Sequence, residues 1–241
     1  MGFLTVIPFP LKSKLKPADM GRAMTFFPVT GALIGGILII LNVVLSHMFP
    51  MAVVDFILIV SLALITGGIH LDGLADTFDG LYGGKTREEA LRIMKDSRVG
   101  AIGVVSLILV IGLKYTTLQS IPEGSKHIAL VAMPLLSRWS MVLMAYLSRY
   151  ARHTAGTGRD FVETVSLLNF SIATVFALVI GIAALGWKGG LIITFIGSIT
   201  IIGVAYFKHR LGGVTGDVLG GLNEVNEVMV LLAILFMSQF K

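Results

Sequence analysis

Apolar residues in this chain fill long unbroken runs, and short polar stretches between the runs carry nearly all of the charge. Seven runs are visible, at roughly 26–49, 56–71, 100–118, 128–148, 170–187, 190–207 and 228–240, the last starting a turn or more earlier, near Leu222. A membrane-spanning helix needs about 20 mostly apolar residues. The pattern therefore predicts an all-α, polytopic bundle of about seven transmembrane helices in a lipid bilayer, a single domain over residues 1–241.

Composition agrees. Hydrophobic residues make up 55% of the chain and charged residues 14%, where soluble domains carry about 25% charged residues. Mean hydropathy is +0.89. Cysteine is absent, which excludes disulfides, thiolate zinc sites and cysteine nucleophiles. The apolar start, Phe3 to Leu11, is broken by Pro8 and Pro10 and runs into Lys12, Lys14 and Lys16, so it does not read as a signal peptide. The net charge of +5 reflects topology rather than a nucleic-acid partner.

Counting the connections alternately puts Lys12, Lys14, Lys16, Arg22, Lys85, Arg87, Arg92, Lys95, Arg98, Arg149, Arg152, Arg159, Lys208 and Arg210 on one side. Only Lys126, Lys188 and Lys241 fall on the other. Basic residues are retained on the cytoplasmic side, so the N-terminus is expected inside a cell (inner or plasma) membrane and the C-terminus outside. Lys114, near the outer end of the third run, is expected to snorkel to the interface. Twelve of fourteen acids share the cytoplasmic side; Asp55 and Glu123 are the exceptions. Acids do not set topology, so a common site on that face is the simplest reason for their asymmetry.

The second run exits into GGIHLDGLADTFDG, residues 67–80. Asp72, Asp76 and Asp79 are spaced i, i+4, i+7 and fall on one stripe of a helix. Carboxylates about 6 Å apart repel by ~3 kcal/mol per pair at an effective dielectric near 20, so such a stripe attracts a counterion. Mg²⁺ takes carboxylate oxygens and shares its coordination with substrate phosphates. Pairing with Lys85, Arg87 or Arg92 is the plainer alternative. His70 lies on roughly the opposite side of that helix from Asp72 and reads equally as a packed or a functional histidine.

Thr86 to Gly100 reads as a short amphipathic surface helix opened by a Thr86–Glu89 capping box. Arg92 and Asp96 are four apart and can pair; Lys95, Asp96 and Arg98 crowd the next span, where they suit a pyrophosphate. The loop after the fourth run offers Arg152 as an anion contact. In the last loop, Asp217 and Glu224 share a face if the helix runs through its glycines, and Glu227 enters an otherwise uncharged span. Together they can complete a metal cage or accept a proton. Arg138, in the middle of the fourth run, must face the bundle interior, either in a structural ion pair or toward an anionic substrate. The Gly31-x-x-x-Gly35 pair permits close helix contact or a homodimer.

These stretches resemble the cobalamin synthase family, the adenosylcobinamide-GDP ribazoletransferases, along nearly the whole chain. The matching pieces are FLTVIPFP (3–10), GGIHLDGLADTFDG (67–80), IMKDSRVG (93–100), YAR (150–152) and LGGVTGDVLGGLNEVNE (211–227); AGTG at 155–158 departs from the family's usual GLG-like stretch. The resemblance implies attack by a ribose hydroxyl of α-ribazole, or its 5′-phosphate, on the cobinamide-side phosphorus of adenosylcobinamide-GDP, with GMP leaving. Positioning and charge neutralisation carry such chemistry. Mg²⁺ on Asp72, Asp76 and Asp79 would neutralise the diphosphate, with Asp76, Asp217, Glu224 and Glu227 as catalytic candidates. His70, Arg92, Lys95, Asp96, Arg98, Arg138 and Arg152 are the substrate-binding candidates.

Rivals fit less well. A CDP-alcohol phosphotransferase shows D-x-x-D-G-x-x-A-R, whereas Gly83-Gly84 stand here in place of Ala-Arg and the second half of that motif is missing. UbiA-like prenyltransferases use N-D-x-x-D-x-x-x-D, a different spacing. A transporter places ionisable groups near the midplane within an internal repeat; only Arg138 is central here, and no repeat is evident.

Overall fold

A computed structural model describes residues 4–6, 16–152 and 158–239. The expectations for Lys12, Lys14, Lys241, the AGTG departure and most of FLTVIPFP lie outside the described residues. The described chain is helical: α1 (Pro17–Met24), α2 (Phe27–Ser46), α3 (Met51–Ile65), α4 (Ile69–Gly83), α5 (Arg87–Ile93), α6 (Ala101–Ser120), α7 (Glu123–Leu147), α8 (Arg159–Thr164), α9 (Leu167–Leu185), α10 (Trp187–Leu211) and α11 (Gly216–Gln239). Six of these, α2, α6, α7, α9, α10 and α11, are long and apolar enough to cross a membrane, and α3 with α4 makes a seventh, broken unit.

Helix α7 is the centre of the bundle, buried along most of its length and packed by α2, α9, α10 and α11. Its close neighbour α2 approaches through Gly31 and Gly35. A Cβ on Gly31 would overlap the Pro134 carbonyl, and one on Gly35 would stand 2.6 Å from the Val131 Cα. The small pair is thus consumed inside the chain and gives no free face for a homodimer. The outer surfaces of α2, α6, α9 and α10 expose Ile40, Ile108, Val179 and Ile202, as lipid contact requires.

The sequence pattern misplaces three boundaries. The second apolar run is two elements, because Gly67 and Gly68 both adopt left-handed φ (62° and 70°) and turn the chain by 87° between α3 and α4. The surface helix expected over 86–100 is only the seven residues of α5, after which the backbone turns at Lys95 and Asp96. The last span starts at Gly216, earlier than either estimate, because α11 runs straight through Gly220 and Gly221. Those glycines let α4 lie against it: a Cβ on Gly221 would meet the Leu74 Cα at 3.3 Å.

Lys114 does not snorkel. It is 3% exposed and points into the bundle, where its Nζ lies 2.5 Å from Glu224 Oε2 and also contacts Glu227. Glu227 accepts in turn from Arg138, which is fully buried and donates to Ser137 Oγ at 2.9 Å. Lys126, counted by sequence among the flanking basic residues, is likewise buried, 3.0 Å from Asp55.

Candidate active site

Where α4 meets the start of α11, one end of the bundle gathers the acids. Thr215 caps α11, its Oγ1 accepting from Val218 N at 3.2 Å. Gly73 lets α4 approach closely, since a Cβ there would sit 2.7 Å from the Asp217 carbonyl oxygen. Asp72 and Asp76, on the same helix, thereby come to face Asp217.

A short pairing of two loops brings in the cation. Tyr150 and Val214 form an isolated parallel bridge, with Ala151 N donating to Val214 O and Val214 N to Arg149 O, each at 2.9 Å. It fixes Arg152 beside α11, where Nη2 donates to Asp217 Oδ2 at 2.8 Å and to Met94 O at 3.4 Å. Thr215 Oγ1 donates to the same Asp217 oxygen at 3.2 Å. The Arg152 Nε is buried without a partner among the described residues.

Asp72 and Asp76 have no hydrogen-bond or ion-pair partner among the described residues. Asp76 is partly buried among the charges of Asp72, Asp217 and Asp79, with Arg152 as the opposing positive charge. Excess negative charge on this surface is what a cation would relieve.

The expected three-aspartate cage is not formed. Asp79 has turned its carboxylate to the start of α6, where Oδ2 accepts from Gly100 N at 2.6 Å and Oδ1 from Gly103 N at 2.8 Å. Both oxygens thus satisfy helix-terminal N–H groups that otherwise lack partners. Glu224 and Glu227 do not complete a cage either. They are 4% and 0% exposed and held by Lys114 and Arg138, because a carboxylate at that depth is tolerated only when paired. Arg138 belongs to the same buried cluster, where it makes the structural ion pair with Glu227. Among the described residues, no group of three His, Asp or Glu is arranged to hold a metal.

The basic candidates after α5 also stand apart. Asp96 pairs with Arg98 at 2.6 Å, not with Arg92, and the Arg98 hydrogen bonds hold the Asp96 carboxyl down at about 2. Arg92, Lys95 and Arg98 are exposed, and no ion pair joins them to the acids among the described residues. Arg210 is spent on structure, capping α4 through the Leu81 and Gly84 carbonyls.

Sequence reasoning missed the cavity beside the acids. It holds about 230 Å³ between α1, α2, α4, α7, α8 and α11, and Asp72, Asp217 and His70 line its polar part. His70 is 2% exposed, and its Nε2 has no partner among the described residues. The other walls are apolar residues that read in sequence as ordinary span or amphipathic-helix positions, so no signal separated them.

A polytopic helical bundle with an acid cluster, an arginine and a partly open cavity at one end has the form of a membrane-embedded enzyme. The cobalamin-5-phosphate synthase family model matches residues 1–235, and the chain belongs to that family. An adenosylcobinamide-GDP ribazoletransferase from Acetivibrio thermocellus is 37% identical over 96% of this chain and 94% of its own length. Those from Geotalea daltonii and Clostridium acetobutylicum are 38% and 34% identical, over 96% and 99% of this chain and 93% and 95% of theirs. No solved structure matches. The chain is a transferase of the cobalamin biosynthetic family.

Proposed function

We propose that this chain joins adenosylcobinamide-GDP to α-ribazole or its 5′-phosphate, releasing GMP. Family membership gives the reaction class; the arrangement of Asp72, Asp76 and Asp217 around Arg152 supports its location. The ribose hydroxyl oxygen forms a bond to the cobinamide-side phosphorus, the bond from that phosphorus to the bridging oxygen breaks, and GMP leaves with that oxygen. Asp217 takes the hydroxyl proton: like Asp72 it belongs to both the acid cluster and the cavity lining, and it is the one that Arg152 and Thr215 orient. The Arg152 Nε–H, without a partner among the described residues, is offered to a phosphate oxygen while Nη2 orients Asp217.

Mg²⁺ fits this surface in a reduced form. Two carboxylates without partners among the described residues, Asp72 and Asp76, remain once Asp79 is assigned to α6, and Mg²⁺ is commonly held by one or two carboxylates plus substrate phosphates. When bound, it supplies charge neutralisation for the diphosphate and the departing GMP. The basic-residue bias supports a cytoplasmic location for this end of the molecule.

The test is GMP release by detergent-purified protein given both substrates, with Mg²⁺ and with EDTA. Metal-dependent GMP and a cobalamin product are expected. Folded protein that yields no GMP refutes the reaction, and GMP formation unaffected by EDTA refutes the metal.

A further inference from the structure

The cavity beside Asp72 and Asp217 has a composition that the transfer chemistry alone does not require. Its apolar walls are Met24, Phe27, Met141, Phe161 and Leu219, contributed by five different helices. Phe27 and Phe161 are both buried and form one wall, with ring centroids 5.7 Å apart and planes tilted by 58°. Thioether and aromatic groups on several sides suit a flat π-system, which gains from ring edges and from polarisable sulfur. A single polar side chain outside the acid cluster enters this lining. That is His70, buried and with an Nε2 that has no partner among the described residues.

We propose that this cavity is a base subsite, taking the flat bicyclic aromatic base of the nucleoside acceptor and directing its ribose at Asp217. The assignment rests on the transferase reading above and adds where one substrate sits. Size excludes the corrinoid. The cavity of about 230 Å³ is below the roughly 300–1,000 Å³ typical of sites for drug-sized ligands, and a corrin macrocycle is larger than those. Polarity disfavours the guanine of the leaving nucleotide. Guanine presents three acceptors, O6, N7 and N3, and His70 is the one side-chain donor on this lining, so burying guanine here would leave most of them unpaired even if Asp72 or Asp217 took its N–H groups. An alkylated benzimidazole nucleoside has one ring nitrogen not bound to the sugar, and its remaining edge is apolar. That nitrogen accepts from His70 in its Nε2–H tautomer, matching one unpartnered donor to one acceptor. Asp217 lies on the same lining, so a base seated here brings its ribose to the carboxylate that takes the proton.

Initial rates of GMP release, measured against each substrate in turn, decide the matter. In Met141→Phe the added ring occupies the cavity. The KM for α-ribazole should rise about tenfold or more, as the loss of a well-packed contact gives. The KM for adenosylcobinamide-GDP should stay within about twofold, a split that a general structural defect would not produce. Met141→Ala should shift relative kcat/KM toward benzimidazole nucleosides with bulkier ring substituents. A rise confined to the corrinoid substrate would overturn the proposal in favour of the guanine end, and unchanged KM values for both would show that the cavity is no subsite. Photolysis of an azido-benzimidazole riboside bound to the wild-type protein avoids reliance on variants that fold poorly. Labelling of α2, α7 or α8 peptides is expected, and labelling confined elsewhere overturns the assignment. Loss of the underlying reaction would be seen separately, as wild-type protein that releases no GMP.

Discussion

Replacing Lys114 with methionine is the sharpest test of the buried charge cluster. Lys114 and Arg138 balance Glu224 and Glu227, so the cluster is neutral as built. The Lys114 and Glu224 side chains are 4% and 5% exposed, and that of Glu227 is 0%. At an effective dielectric near 20, each contact of about 3 Å is worth roughly 5 kcal/mol of gross attraction, so Lys114 supplies roughly 10 kcal/mol in total. Desolvation offsets most of this, and removing one partner of such a pair costs about 3–5 kcal/mol because the other charge stays buried. A lysine snorkelling to the interface would cost about 0–1 kcal/mol instead.

Thermal unfolding in detergent separates the two. Lys114→Met should melt at least about 6 °C below wild type, at roughly 2–4 °C per kcal/mol for a chain of this size. The double variant Lys114→Met/Glu224→Gln restores neutrality and should recover more than half of the loss, while retaining GMP formation within about tenfold. A single variant that melts with the wild type would refute the cluster. A double variant that is folded but inactive would return Glu224 to the catalytic machinery.

Two further outcomes follow from the same geometry. Asp76→Asn should abolish metal-dependent GMP release, whereas Asp79→Asn should lose about 0.5–2 kcal/mol of stability as a weakened cap of α6 and keep activity within about tenfold; equal loss of activity in both would restore the three-aspartate cage. Finally, Gly31→Leu should prevent folding by separating α2 from α7, leaving no population of folded monomer; a folded monomer in size-exclusion chromatography would contradict that packing.

Much of the frame was legible from the chain alone. Runs of about 20 apolar residues leave the backbone no option but helix in hydrocarbon, and every expected run contains an observed helix. Asp72 and Asp76 also followed from spacing, because residues four apart share a helix face whatever packs against them. The family resemblance rested on short motifs and the comparisons bear it out.

The destination of each charge was decided only by the tertiary structure. Asp79 belongs to the same stripe as Asp76, yet α6 starts beside it and claims both oxygens. Glu224 and Glu227 are helix neighbours of Asp217, but they lie deeper, where only Lys114 and Arg138 make their burial tolerable. Arg152 reaches Asp217 because two loops, separated by two spans in sequence, pair through Tyr150 and Val214. Period and composition are local properties, which a helix displays before it packs. Which carboxylate stays free for chemistry depends on the donors that other helices bring to it, and that information exists only once the bundle is assembled.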